Sequence, residues 1–224
     1  MCLIIKKPEG RQISADFLEN AWQRNSDGWG CFHVDAGQPV WIKGMHLAGL
    51  LQHNQSLPLG CEVYLHLRKA TYGHVTPDMA HPYPVRPGLL LMHNGSIDHL
   101  APTDPSRSDT AELARFLHNM LDGLSDAQAA RLLRSEGFAR LLAPLIKGSM
   151  IVLLDAQGAV RLGRDWHVVQ AREWDGVMPG IEVSNTHAWA PRCADVQAAA
   201  GSAWQKLQRW WAGKALPRQS SVRV

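Results

Sequence analysis

The run Leu89–His93 (LLLMH) constrains the fold more than any other segment. It has no polar alternate, and Gly88 and the pair Asn94–Gly95 bound it at its two ends. A run this short, apolar on both faces, reads as a strand buried from both sides. Such a strand needs a layer above it and a layer below it.

The remaining segments indicate those layers. Met1–Ile5 is short, apolar and β-prone, and Pro8 and Gly10 follow it, so it reads as a buried strand. Ser14 is placed to cap a helix over 15–25, with Phe17, Leu18, Ala21 and Trp22 at helical spacing. Trp29–Val34 and Pro39–Lys43 form a strand pair joined by Asp35, Ala36 and Gly37. Met45–Asn54 reads as a short helix, and Cys61–Arg68 alternates as a strand does. The Pro-, His- and Tyr-rich stretch 69–88 is expected to be a long loop without regular structure, a common mark of function. Ser108 caps a helix over 109–121, and a second helix starts from Ser125. Met150–Leu154 and Val160–Leu162 suggest a hairpin around Asp155–Gly158, Gly180–Ser184 one more strand, and Ala194–Trp211 a helix.

Strands open the chain, helices fill its middle, and strands return. Two sheets sharing one core with helices outside fit that order, an α+β arrangement. No repeat or low-complexity linker interrupts residues 1–224, which are expected to be one domain with a basic helical tail from about residue 195.

Composition narrows the partners. Apolar residues make up 46% and charged residues 19%, as in globular proteins with a substantial core. The formal charge is +3, but no acid follows Asp195, while Lys206, Arg209, Lys214, Arg218 and Arg223 do. Without those five, 18 basic residues face 20 acidic ones. A nucleic-acid protein usually carries a basic stripe on its folded body, so no nucleic-acid partner is expected. Cys2, Cys31, Cys61 and Cys193 form no CxxC pair and are expected to be reduced thiols in the cytoplasm. The opening MCLIIKKPEG is too short in apolar residues for a signal peptide, and no stretch approaches the ~20 apolar residues of a membrane span. Eleven histidines show no HExxH or HxxxH spacing, so neither a catalytic metal nor another cofactor is expected.

Several separated motifs bear on chemistry: MC at the start, NSDGWG at 25–30, HLRKATYG at 66–73, AHPYPV at 80–85, MHNGSI at 92–97 and SDTAE at 108–112. In this order they resemble the class II glutamine amidotransferases, a family of N-terminal nucleophile hydrolases, and the stand-alone type among them. The resemblance covers residues 1–112 and extends weakly to VSNTHAW at 183–189. It implies a four-layer αββα sandwich. It also implies hydrolysis of the L-glutamine side-chain amide, with ammonia released for a separate ligase or synthetase subunit. Two positions depart from the pattern: Leu3 stands where the family has Gly, and Lys69 where it has Trp.

The resemblance carries roles onto individual residues. Cys2 would be the nucleophile once Met1 is removed, Asn94 and Gly95 the oxyanion hole, Arg68 the partner of the substrate α-carboxylate and Asp109 of its α-ammonium. Thr71, His81 and Pro82 would shape the pocket, and Asn25, Asp27 and Gly28 would fix a turn near the nucleophile. The chemistry agrees. A cysteine at the first position offers a thiolate and an α-amine of pKa about 7.7–8.0 that can accept and return a proton. Planar Arg pairs with carboxylates two-pronged. Each residue also has a plainer reading: a small residue in a buried strand for Cys2, a strand-ending turn for Asn94–Gly95, helix capping for Ser108–Asp109. Two other functions stay open, namely a hydrolase of the same fold acting on a γ-glutamyl or other amide conjugate, and a binding module without catalysis.

Overall fold

The computed structural model describes residues 2–104, 106–174 and 179–189. The helix expected over Ala194–Trp211, and with it the basic tail, lies outside the described residues.

The chain opens with strand β1 (Leu3–Lys7). Ser14 accepts a hydrogen bond from the Phe17 N–H and starts helix α1 (Ala15–Trp22). That helix stops short of the expected Asn25. The Asn25 side chain instead donates to the carbonyls of Ala21 and Ala188, turning the chain and tying it to a distant segment. Strands β2 (Trp29–Asp35) and β3 (Gln38–Gly44) follow. Asp35 pairs with Gln38, so the turn is the two residues Ala36 and Gly37, both with positive φ (46° and 75°). Two such residues match the right-handed twist of the flanking strands. Helix α2 (Leu47–Gln55) and strand β4 (Val63–Leu67) complete the first part.

The long loop expected at 69–88 is broken by a short 3-10 turn at Pro77–Met79 and by strand β5 (Tyr83–Arg86). β5 is an edge strand, where the missing N–H of Pro84 costs little. Strand β6 (Leu89–Asn94) is buried at every position, as its sequence demands. Helices α3 (Asp109–Met120) and α4 (Asp126–Leu133) start at Ser108 and Ser125 as expected, the latter with a full capping box through Gln128. A further helix, α5 (Glu136–Leu142), begins directly after α4 on its own cap, Ser135. The hairpin of β7 (Met150–Asp155) and β8 (Gly158–Gly163) stands where expected. Two-residue strands β9 (His167–Val168) and β10 (Glu182–Val183) follow, so the strand expected at 180–184 is shorter than its apolar pattern suggested. No helix among the described residues is long and apolar enough to cross a membrane.

The strands form two antiparallel sheets, ordered β3-β2-β4-β1-β10-β9 and β5-β6-β7-β8. Residue parity explains how they stack, because successive strand side chains point to opposite faces. Leu3 and Ile5 of β1, Cys31 of β2 and Leu65 of β4 pack under α1 and α2. Ile4, Phe32 and Tyr64 point the other way and meet Leu90, Met92, Val152 and Leu154 of the second sheet. Leu89, Leu91, Ile151 and Leu153 then face α3, α4 and α5. The result is the four-layer αββα sandwich. Phe17, Trp174 and Trp189 close the first helix layer with edge-on ring contacts at 5.2–6.4 Å.

Candidate active site

The same parity places the polar residues. Ile4, Tyr64 and Met92 lie in the apolar layer between the sheets. Two residues further along, His66 and Asn94 take the same side of their strands, while Cys2 lies just before β1 and Arg68 just after β4. The layer between the sheets therefore changes from apolar to polar at one end, and beside it a cleft opens among Cys2, the 68–72 segment, the end of β6 and the start of α3.

Cys2, Arg68, Thr71, His81, Gly95 and Asp109 all line this narrow cleft. Six of the seven residues assigned from the sequence thus converge from segments far apart in the chain. Asn94 is the exception. It is fully buried and does not line the cleft, and its Nδ2 donates to Ser184 Oγ at 2.6 Å. A wider groove runs past Gln38, Arg86, Leu133 and Asp155. Its charges are already matched, Arg86 with Asp126 and Asp155 with Arg134, and it holds no nucleophile.

Cys2 Sγ sits 3.3 Å from both the carbonyl oxygen and the N–H of Lys69. Burial pushes its thiol pKa above the ordinary value, against the pull of the Lys69 backbone and of Arg68. The Cys2 carbonyl accepts a hydrogen bond from Asn185 Nδ2 at 2.7 Å. The segment touching Cys2 is itself braced. Asp27 accepts the Ala70 N–H at 2.9 Å and pairs with Lys69 Nζ at 3.5 Å, and Arg68 N–H donates to Gly28 carbonyl at 2.8 Å. The turn at 25–28 therefore supports the wall beside the nucleophile candidate, as its place in the sequence suggested.

Arg68 is buried and donates to the carbonyls of Tyr72 and His74, both at 2.9 Å. It folds the 69–74 loop around itself and keeps three of its five N–H donors for other use. Asp109, first residue of α3, accepts the Thr110 N–H on Oδ1 and the Ile97 N–H on Oδ2, at 2.8 and 2.9 Å. The capping role foreseen for this segment is present: Ser108 accepts the Ala111 N–H. Asp109 additionally ties down the chain just beyond Gly95.

Gly95 has φ +144°, and a Cβ there would run into the side chain and Cα of Ser149. Leu3 is fully buried in the layer against α1 and does not border the cleft, so its side chain forms no part of the pocket wall. Lys69, the other departure, does line it.

Three buried histidines cluster beside the cleft, and two of them, His81 and His93, line it. The rings of His66 and His81 lie 3.8 Å apart. His66 Nε2 meets the His93 carbonyl, which can only accept, so Nε2 carries the proton. His81 Nε2 and His93 Nδ1 both contact Thr110 Oγ1, at 3.3 and 2.9 Å. Burial lowers all three pKa values, that of His66 to about 3. The set is neutral near pH 7. Among the described residues no group of three His, Cys, Asp or Glu is arranged to hold a metal ion.

Sequence reasoning assigned no role to Ser184, Asn185, Thr110 or Ser149. The first two lie in VSNTHAW and Thr110 in SDTAE, so a signal for their neighbourhood was present, whereas Ser149 had none.

No family model matches the chain, and no curated protein does. Solved structures with a similar backbone course include three. Glutamine phosphoribosylpyrophosphate amidotransferase from B. subtilis, complexed with ADP and GMP, is 16% identical, with 82% of this chain and 41% of that chain covered at a TM-score of 0.44. The allosteric regulatory enzyme of purine biosynthesis has the same identity and coverage at 0.45. A glutamine aminotransferase class-II domain protein from Silicibacter pomeroyi is 18% identical, with 86% and 91% covered at 0.38. The chain spans less than half the length of the first two.

Proposed function

We propose that this chain is a class II glutamine amidotransferase that hydrolyses the side-chain amide of L-glutamine on Cys2 after removal of Met1. One observation carries the reading: Cys2, Arg68, Gly95 and Asp109, widely separated in sequence, line a single narrow cleft.

The reaction follows from the groups present. The Cys2 thiolate attacks the amide carbon, and the carbonyl electrons move onto oxygen. The Gly95 N–H, at the cleft, stabilises that oxyanion, joined from behind the wall by the Asn94 Nδ2 hydrogen that Ser184 does not hold; one such donor typically contributes about 2.7–4 kcal/mol. The Cys2 α-amine, freed when Met1 leaves, takes the thiol proton and returns it to the departing nitrogen, so ammonia leaves and a γ-glutamyl thioester remains. Water then attacks the thioester, releasing glutamate and restoring the thiol. Arg68 and Asp109 hold the substrate's α-carboxylate and α-ammonium. A separate ligase or synthetase subunit receives the ammonia.

Intact-mass measurement with a glutamine-like electrophile, 6-diazo-5-oxonorleucine, tests this together with an ammonia-release assay. The expected result is one adduct on Cys2 in Met1-free protein, ammonia release from glutamine, and loss of both in Cys2→Ala. A Met1-free protein that neither labels nor releases ammonia overturns it.

Lys69 favours one second reading. Its half-exposed ammonium, held only at 3.5 Å by Asp27, keeps hydrogen-bond donors for a further anionic group on the substrate, as in a γ-glutamyl conjugate. A higher kcat/KM for γ-glutamyl dipeptides than for glutamine would select it.

A further inference from the structure

Three chain segments meet at one hydroxyl. Ser184 Oγ accepts the backbone N–H of Ile4 at 2.8 Å and the side-chain N–H of Asn94 at 2.6 Å. The Ser184 N–H in turn donates to the Ile4 carbonyl at 2.9 Å. Ile4 lies two residues from Cys2 on the first sheet, and Asn94 ends the central strand of the second. The neighbouring Asn185 donates to the Cys2 carbonyl, and its own Oδ1 accepts the N–H groups of His187 and Ala188. The short segment after β10 therefore grips the backbone of the nucleophile candidate with one residue and the carboxamide of Asn94 with the other.

Both residues are buried, so these bonds are shielded from competing water. Asn94 Oδ1 has no partner and is also buried. Asn94 Nδ2 carries two hydrogens, and Ser184 Oγ holds one of them, which leaves the other to face a developing charge. Without the hydroxyl neither end is anchored, and an unanchored amide cannot keep an N–H aimed at a developing charge.

We infer that Ser184 is a positioning residue for the oxyanion site, its hydroxyl registering the Asn94 carboxamide against the strand that carries Cys2. This rests on the glutaminase reading above and adds a residue to it. Ser184 touches neither substrate nor reacting atoms. It acts through Asn94, and its removal affects the rate of chemistry and leaves substrate capture by Arg68 and Asp109 intact.

The test uses the full Met1-free chain as wild type, Ser184→Ala, Ser184→Thr, Asn94→Ala and the Ser184→Ala/Asn94→Ala double variant. Expected for Ser184→Ala is a kcat lower by about tenfold to a hundredfold, less than the ~10²–10³ of losing a whole oxyanion donor. KM should stay within about twofold, as expected when only transition-state stabilisation is lost. Ser184→Thr, which keeps the hydroxyl, should recover most of the rate, and Ser184→Ala should add nothing in the Asn94→Ala background. The Asn94 side-chain NH₂ resonances should shift in Ser184→Ala. Unchanged kcat, a KM rising in step with the loss, additive effects in the double variant, or unmoved Asn94 resonances each overturn the assignment. If wild type releases no ammonia from glutamine, the proposed function falls, and the Asn94 resonances still decide whether Ser184 holds that amide.

Discussion

Cys2 Sγ lies between the two polar backbone groups of Lys69, 3.3 Å from its carbonyl oxygen and 3.3 Å from its N–H. The two contacts favour opposite protonation states. The carbonyl accepts from the thiol and repels the thiolate, whereas the N–H stabilises the thiolate. Burial tips this balance toward the neutral thiol.

With Met1 retained, Cys2 is therefore expected to react slowly with iodoacetamide at neutral pH. Its alkylation midpoint should lie above that of the same thiol in unfolded protein, because the raised pKa belongs to the folded state. Removing Met1 places a titrating ammonium on Cys2 itself and should move the midpoint down. A pH profile of alkylation on the two forms decides this. A Met1-retaining protein with a midpoint at or below the unfolded value contradicts it.

Gly95→Ala is expected to be damaging out of proportion to one methyl group. The residue sits at φ +144°, and the new Cβ would meet Ser149 backbone as well as its side chain. Strain of this kind costs about 1–3 kcal/mol. The variant should lose several degrees of Tm and, because β6 ends here beside Asn94, most of its ammonia release. Native Tm by calorimetry with full activity would show that the turn can be re-formed without glycine.

The buried histidines predict acid sensitivity above the carboxylate range. His66, His81 and His93 are held neutral in the folded state by burial, with pKa values below the ordinary 6.5. Below that pH the unfolded chain binds protons that the folded chain refuses. The stability these groups contribute is present above about pH 6.5 and drains away as pH falls toward their folded values, about 3 for His66. Each contributes a slope of at most about 1.4 kcal/mol per pH unit. Tm measured from pH 7.5 to 5 should fall steadily. A Tm that holds constant until pH 5 argues against neutral burial of the three.

Local patterns carried much of this in advance. Ser14, Ser108 and Ser125 each start the helix that their cap chemistry foretold. β6 is buried throughout because LLLMH offers no face to water. β5 was hidden by Pro82, Pro84 and Pro87, which read as loop, while an edge position tolerates what an inner strand would not. α5 was hidden because only two residues separate it from the end of α4. β9 and β10 are too short for any alternating pattern and exist only through pairing with each other and with β1.

For the cleft, sequence alone was enough to name residues of the right kind at ordered positions: Cys2, Arg68, Thr71, His81, Asn94, Gly95 and Asp109. Tertiary structure decided which of them meet. It put Leu3 into the helix-facing core, bent Arg68 onto its own loop, and set Asn94 behind the cleft wall against Ser184. The bonds from Ser184 and Asn185 to Ile4, Asn94 and Cys2 join residues 90 and more positions apart, and only the pairing of β10 with β1 and the stacking of the two sheets bring such residues within hydrogen-bonding distance.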